Sequence, residues 1–341
     1  MADRWKSMRG FFSTLVPVVA VLVLASGRAG AQTVASPYDT KYTLTDLGQI
    51  SGLPTPYGGL TFLNGNPNVI VIGGNANEAS GALYSIGVVR NVQNHITGFT
   101  GTAAAFSEGE YNDGGVVFGP GGVLFYTRFP NNEIGEVKPG SAVNDKVVDL
   151  TAIGVSSSVG ALNFVPSGFP GAGTLKIVSY DTGEWYTASY APDGSGTYNI
   201  TSPVKNSTID VGPEGFVYVP PGSPVFPAGS MLVSEYDNDQ VSTYQIDTGG
   251  NPKPATQAVF ISGLTGAEGA VIDPVTGDFL FSTFGAENHV IAVQGFAIPP
   301  TPGPGPGPPS SASPIPALSS WMLAVLGISL AGVALLAMRR S

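Results

Sequence analysis

Two glutamates with nearly identical flanking residues are the strongest candidates in this chain for metal binding or catalysis. Glu214 lies in a Gly-Pro-Glu-Gly segment and Glu268 in a Gly-Ala-Glu-Gly segment, while Asp113 directly precedes a Gly-Gly pair. Carboxylates brought close together repel each other, so that one takes a proton or a cation neutralises both. Carboxylate oxygens suit Ca²⁺, which takes about six to eight oxygen ligands. If the fold brings the three acids together, they form a candidate calcium site.

A second interpretation of these acids needs no metal. Each glutamate could accept hydrogen bonds from backbone amides at the turn where a strand begins, or it could simply be solvated. The sequence places only three acidic side chains there, whereas calcium takes about six to eight oxygen ligands. Both interpretations therefore stay open at the level of sequence.

An internal repeat determines where these acids would lie. Five segments share a small or acidic residue, then a small residue, then an apolar strand. They are Gly58–Phe62, Gly114–Phe118, Gly160–Phe164, Glu214–Tyr218 and Glu268–Ile272. Each is followed by a turn and a second apolar strand, such as Leu175–Ser179 or Phe279–Ser282. A third strand and in most repeats a more variable fourth come next. Four strands recurring at roughly fifty residues predict the blades of a β-propeller.

We therefore predict an all-β fold with five propeller blades in residues 42–296. Six blades is the alternative count, because the long first and third repeats could conceal degenerate strands. A β-sandwich is the alternative fold, although the repeat period argues against it. The last repeat ends at Phe296 after three strands, and a strand near Tyr42–Gly48 is predicted to complete its blade. Glu214 and Glu268 would then come from neighbouring blades and face one mouth of the central channel.

Composition excludes several classes of function. The chain carries 14 Lys and Arg against 24 Asp and Glu, a net charge of −10. Without its basic termini, the central part has a net charge of about −15, which would repel nucleic acid. The chain contains no cysteine, so thiol catalysis, cysteine-ligated metals and disulfides are excluded.

The N-terminus predicts export. Arg4, Lys6 and Arg9 precede the apolar stretch 11–25, and Ala29-Gly30-Ala31 supplies the small residues of a cleavage site. This is the pattern of a secretory signal peptide, here residues 1–31. An N-terminal membrane anchor is the alternative.

The C-terminus predicts a spacer and a membrane span. Residues 297–313 are rich in proline and glycine, which is typical of an extended linker. Residues 321–338 are uncharged and long enough for a transmembrane helix, and Arg339 and Arg340 behind them would stay on the cytoplasmic side.

The tail 314–341 resembles the IPTL-CTERM class of bacterial sorting domains, relatives of the PEP-CTERM signals. Ile315, Pro316 and Leu318 match its motif, with Ala317 in place of threonine, and Trp321 follows. The resemblance implies recognition by an exosortase-type membrane processing enzyme. The domain would then stay anchored in the cell envelope by its C-terminal helix, or be released to the cell surface or extracellular matrix.

The two glutamate segments resemble those of gluconolactonase-like and NHL-type propellers. That resemblance implies a channel metal that polarises an ester carbonyl. Those lactonases have a metal-binding glutamate in the opening blade, where this chain has Tyr57-Gly58-Gly59, so the activity is not transferred.

Two functions follow as hypotheses. The first is an exported propeller that acts as a binding or scaffold module for an envelope polysaccharide or protein. The second is a metal-dependent, lactonase-like hydrolase that works at the channel mouth through Glu214 and Glu268. The sorting tail and the absence of a recognisable catalytic motif favour the first.

Overall fold

The computed structural model describes residues 32–210, 212–285 and 287–300. The predicted signal peptide 1–31, linker residues 301–313, and the sorting signal with its span 321–338 lie outside the described residues. Across the described ranges, none of the helices combines the length and the apolar character needed to cross a bilayer.

The described residues form antiparallel sheets of short strands. The strands are β1 (Thr33–Val34), β2 (Thr43–Asp46), β3 (Tyr57–Leu63), β4 (Asn66–Gly74), β5 (Ala82–Arg90), β6 (Ile96–Glu108), β7 (Asn112–Phe118), β8 (Leu124–Arg128), β9 (Glu133–Val137), β10 (Lys146–Asp149), β11 (Val159–Phe164), β12 (Leu175–Ser179), β13 (Glu184–Pro192), β14 (Tyr198–Thr208), β15 (Pro213–Tyr218), β16 (Ser230–Glu235), β17 (Gln240–Gln245), β18 (Ala258–Ser262), β19 (Val271–Ile272), β20 (Phe279–Ser282) and β21 (Val290–Gln294).

These strands make the five blades of a β-propeller, as the repeat predicts. In chain order the sheets are β3-β4-β5-β6, β7 to β10, β11 to β14, β15 to β18, and β19-β20-β21 with β2. The long first and third repeats owe their length to the extended outer hairpins β5-β6 and β13-β14. The described part of the chain therefore has neither the sixth blade nor the β-sandwich considered above.

The N-terminal segment closes the ring. Strand β2 pairs with β21 from Thr43↔Gln294 to Asp46↔Ile291, so the first and last parts of the domain share the fifth blade. The predicted strand near Tyr42 therefore has the expected partner. Strand β1, which lies before the predicted domain start at Tyr42, adds a fifth strand to the fourth blade through the pair Val34↔Ile261. Pairing of this kind covers strand edges that could otherwise recruit another chain.

Apolar packing between neighbouring blades forms the core. The second strands β8, β12, β16 and β20 are buried at every residue, as expected for strands with a sheet packed on each face. Between the fifth and first blades, Leu280 and Ala292 pack in one cluster with Ile70 and Ile72. Each blade is therefore stabilised mainly by its neighbours.

An ion pair also joins the first and fifth blades. Arg90, at the end of β5, donates two hydrogen bonds to Asp273, from Nη1 to Oδ2 at 2.6 Å and from Nη2 to Oδ1 at 3.0 Å. Beside it, His95 Nδ1 lies 2.7 Å from Asp278 Oδ2. Both aspartates are fully buried. Arg90 gives Asp273 an opposite charge, and His95 gives one oxygen of Asp278 a hydrogen-bond partner.

The innermost strands approach closely at the propeller axis. A Cβ on Gly269, just before β19, would lie 2.6 Å from Gly59 Cα in β3. Glycine at this position therefore lets two backbones meet where any side chain would collide. The tight centre leaves one mouth at each end of the axis.

Candidate functional site

The structure brings together the three acids that the sequence singles out. Asp113 lies near the start of β7 in the second blade, Glu214 near the start of β15 in the fourth, and Glu268 just before β19 in the fifth. One carboxylate oxygen from each lies within 4.8 Å of the others. Their exposed fractions are 1%, 3% and 1%, respectively, so the cluster is buried at one mouth of the channel.

Backbone contacts between blades fix the position of Glu268. Its N–H donates to the Ser282 carbonyl oxygen at 3.0 Å, and its own carbonyl accepts from Gly215 N at 2.8 Å. The Ser282 hydroxyl donates to the Gly58 carbonyl at 2.6 Å and accepts from Gly269 N at 3.0 Å. The start of the fifth blade is therefore held by both the fourth and the first blade.

The glycine at the start of the second blade's motif makes room for Glu214. A Cβ on Gly114 would lie 2.3 Å from Glu214 Oε2 and 3.0 Å from the Gly215 backbone nitrogen. Contacts that short require the neighbouring atoms to move. Gly160 in the third blade has a similar role, since its Cβ would lie 2.2 Å from the Pro213 carbonyl oxygen and 3.1 Å from Glu214 Oε2. The small residues of the repeat thus form a cradle for a carboxylate from another blade.

Each of the three acids keeps a buried oxygen without a hydrogen-bond partner. These atoms are Asp113 Oδ2, Glu214 Oε2 and Glu268 Oε1. Among the ion pairs of the described residues, none involves any of these three acids. Burying charge without a partner is unfavourable, so the cluster must hold protons or a cation.

Burial raises the pKa of all three acids. The pKa of Asp113 rises to about 8, although hydrogen bonds with Glu268, Asn77 and the Gly114 backbone partly oppose the effect of burial. Burial, followed by repulsion from Asp113 and Glu268, holds the pKa of Glu214 well above its ordinary value. The pKa of Glu268 is likewise well above its ordinary value, because of burial and then the charge of Asp113. At neutral pH the metal-free cluster therefore retains protons.

Asn77, which no motif or repeat in the sequence singles out, completes the cluster on the side of the first blade. One end of its side-chain amide lies 3.0 Å from Asp113 Oδ1 and 3.2 Å from the Asn112 carbonyl oxygen. With its nitrogen at that end, the amide donates to both oxygens. Its backbone has a φ of 65°, a left-handed conformation that asparagine tolerates better than most residues.

A ring of aromatic side chains, here called the aromatic collar, surrounds the mouth above the cluster. It consists of Phe129, Tyr180, Tyr236 and Phe284, and with Asn77 and the three acids it lines a cavity of about 150 Å³. Successive ring centroids lie 5.5, 6.1 and 5.8 Å apart. Each ring follows the second strand of its blade by one or two residues.

No protein-family model matches this chain, and no curated protein matches its sequence. Solved structures similar to it include a carbohydrate-active enzyme of family AA12 from Trichoderma reesei, with 10% identity, coverage of 77% of this chain and 97% of that chain, and a TM-score of 0.46. The pyranose dehydrogenase PQQ domain from Coprinopsis cinerea has 8% identity, the same coverage and a TM-score of 0.42. An auxiliary nutrient binding protein from Bacteroides ovatus has 10% identity, coverage of 74% and 76%, and a TM-score of 0.41. Similarity at this level says nothing about the site.

Proposed function

We propose that this chain is an exported β-propeller binding module that holds a calcium ion in the Asp113, Glu214 and Glu268 cluster. The ion would present its remaining coordination positions to a ligand at the aromatic collar. The observation that carries the proposal is the convergence of three buried carboxylates, each with an unpaired oxygen. A divalent cation would neutralise most of their charge and give those oxygens a partner.

The donor set fits calcium better than a transition metal. Every candidate ligand at the site is an oxygen, and hard cations such as Ca²⁺ prefer oxygen. The chain has no cysteine. Its two histidines are engaged elsewhere, His95 with Asp278 and His289 with Asp46. Zinc and copper, which favour nitrogen and sulfur ligands, would therefore find no preferred donor here.

The cluster leaves coordination positions free on the cavity side. The three carboxylates supply three to six oxygens, depending on whether each binds through one oxygen or two. The Asn77 amide would add a further oxygen if it turned that atom toward the ion. Water or ligand oxygens in the cavity of about 150 Å³ would complete the shell. A ligand that brings its own oxygens, such as an envelope polysaccharide, could bind the ion and stack on the collar at the same time.

Calcium titration of the metal-free protein by calorimetry tests this proposal. We expect saturable binding of one ion per chain, and we expect the Glu214→Gln/Glu268→Gln variant to lose it. Glu78→Gln, a matched change at an exposed glutamate, should bind as the unaltered protein does. Equal binding by the unaltered protein and the double variant, or none by either, would refute the calcium site.

The three acids line a cavity at the channel mouth, and this placement favours a second candidate function, metal-dependent hydrolysis. A bound cation would supply polarisation of a substrate carbonyl. A screen of lactones and phosphoesters, with and without calcium, separates the two functions. Turnover that is lost in Glu268→Gln would favour the hydrolase.

The proposed location depends on the two termini. Residues 1–31 would direct export, and the tail with Ile315, Pro316, Leu318 and Trp321 would be recognised by an exosortase-type membrane enzyme. The intact mass of the mature protein tests both ends at once. A chain that begins after Ala31 and ends between Ser313 and Leu318 would support cleavage at both sites. A chain that reaches Ser341 would mean permanent anchorage.

A further inference from the structure

The channel has a second mouth, opposite the carboxylate cluster, which we call the lower funnel. The innermost strand of each blade runs from the carboxylate cluster toward this mouth. The residues that line the mouth lie two or more positions further along each strand. Its walls include Thr61, Val117, Asn163, Val217 and Ile272, one from each blade in turn, and they enclose about 600 Å³. The lower funnel is mainly apolar, unlike the acidic mouth.

Aromatic side chains form one side of the lower funnel. Phe169, from the loop after β11, and Tyr218, at the end of β15, lie there with ring centroids 5.4 Å apart. Pro166 and Pro220 stand beside them. Grooves lined by aromatic rings are the usual docking sites of extended, proline-rich segments.

The chain itself already crosses this mouth after its last strand. Ala297 N donates to Ser223 Oγ of the fourth blade at 3.1 Å. Pro300 Cγ lies 3.9 Å from the place where a Cβ on Gly168 of the third blade would stand. Ile298, Pro299 and Pro300 therefore run from the fifth blade toward the third and form part of the funnel wall.

We propose that residues 301–309, which follow directly and lie outside the described residues, dock in the lower funnel. Their sequence is Thr-Pro-Gly-Pro-Gly-Pro-Gly-Pro-Pro, so little conformational entropy is lost when the prolines are ordered. At about 3.1 Å per residue, five residues of extended chain reach about 15 Å beyond Pro300. Docking would also cover Ile298, whose side chain is 66% exposed at the rim.

Docking of this segment sets the orientation of the propeller. The chain would leave the folded body at the mouth opposite Asp113, Glu214 and Glu268. A molecule held at its C-terminus would then turn the acidic mouth and the aromatic collar away from the point of attachment. This inference does not depend on calcium binding, because it rests on the opposite end of the axis.

Cysteine reactivity tests the docking, because the chain has no cysteine of its own. In the full-length chain in non-ionic detergent, Gly305→Cys would report on the docked segment and Ser311→Cys on the chain beyond it. We expect a small alkylating reagent to modify position 305 about tenfold more slowly than position 311. Equal rates at the two positions would overturn the proposal.

Two further variants show whether the lower funnel causes the protection. Val117→Gln/Ile272→Gln makes the wall polar and should raise the rate at position 305 to that at position 311. Val147→Gln, at an exposed position on β10, is the matched control and should leave the protection intact. Serine in place of Pro302, Pro304 and Pro306 should also abolish the protection without altering the folded body. Protection that survives this change would equally refute docking.

Discussion

In the absence of calcium, the protein should become less stable as the pH rises from 5 to 8. The pKa of Asp113 is about 8 in the folded protein, against an ordinary value of 3.8, and those of Glu214 and Glu268 are also raised. Between about pH 4 and pH 8 the folded state therefore binds more protons than the unfolded state, and the free energy of unfolding falls as the pH rises. The cluster destabilises the fold least at a pH below the pKa values that its carboxyl groups have in the unfolded chain, because there they are protonated in both states.

One retained proton sets the magnitude of this effect. It corresponds to about 1.4 kcal/mol per pH unit, or about 3 kcal/mol between pH 5 and pH 7. For a domain of this size, that is a fall in Tm of roughly 5–10 °C. Calcium displaces the protons, so its affinity should increase with pH. At a free concentration one hundred times its Kd, calcium should add about 2.7 kcal/mol to the free energy of unfolding.

Thermal unfolding followed by circular dichroism at pH 5, 6, 7 and 8, with chelator or with calcium, measures both effects. Burial also raises the pKa of Glu136 to about 7, so this residue adds a slope of the same sign. The contribution of the cluster is therefore the difference between the unaltered protein and Glu214→Gln/Glu268→Gln, whose profile should be flatter and insensitive to calcium. A chelated protein whose stability is constant or rises over this range would refute the reasoning. So would a double variant with an unchanged slope.

Three further substitutions test other parts of the structure. Gly114→Ala places a Cβ 2.3 Å from Glu214 Oε2. It should weaken calcium binding about tenfold or more, as measured by calorimetry, and destabilise the fold by about 1–3 kcal/mol, as measured by urea unfolding. Arg90→Ala leaves the buried Asp273 without its ion-pair partner and should cost about 3–5 kcal/mol in the same urea assay. Asn77→Gly keeps the left-handed backbone conformation accessible but removes the amide, so it should weaken calcium binding with little effect on the urea midpoint.

Matched controls accompany two of these substitutions. Gly98→Ala adds a Cβ with no atom within 4 Å, so its calcium affinity and stability should stay close to those of the unaltered protein. Lys205→Ala breaks an exposed ion pair with Glu184 and should cost less than about 1 kcal/mol. If Gly114→Ala behaves like Gly98→Ala, the cradle has no role. If Arg90→Ala behaves like Lys205→Ala, the ion pair does not stabilise the closure of the ring.

The blades could be predicted from the sequence because each one meets the same packing requirement. A second strand with a sheet on each face must be apolar throughout, and it recurs once per blade. The predicted strands Leu175–Ser179 and Phe279–Ser282 have the same bounds as β12 and β20. Strand β1 could not be found in this way, since a pair of residues carries no periodicity. Its pairing with β18 depends on the fold already formed by the rest of the chain.

The repeat predicts the two glutamates but does not predict Asn77 or the aromatic collar. Glu214 and Glu268 occupy the same position in two repeats, so the alignment of the repeats places both at one mouth. Asn77 lies in a loop of the first blade that aligns with no other repeat. The aromatic collar follows strand ends, where loop lengths differ by a residue, so its regularity emerges only when the blades are superposed in space.

The candidate site arises where the five repeats stop being alike. At the start of the inner strand, the first three blades have Gly58, Gly114 and Gly160, whereas the fourth and fifth have Glu214 and Glu268. Five acids at this narrow centre would repel each other beyond what one cation could neutralise. Five glycines would leave Asp113 as the single acid of the cluster. The glycines of the second and third blades leave the space that Glu214 Oε2 occupies, since a Cβ on either would crowd that atom. The site therefore depends on the residues that lack side chains as much as on the acids themselves.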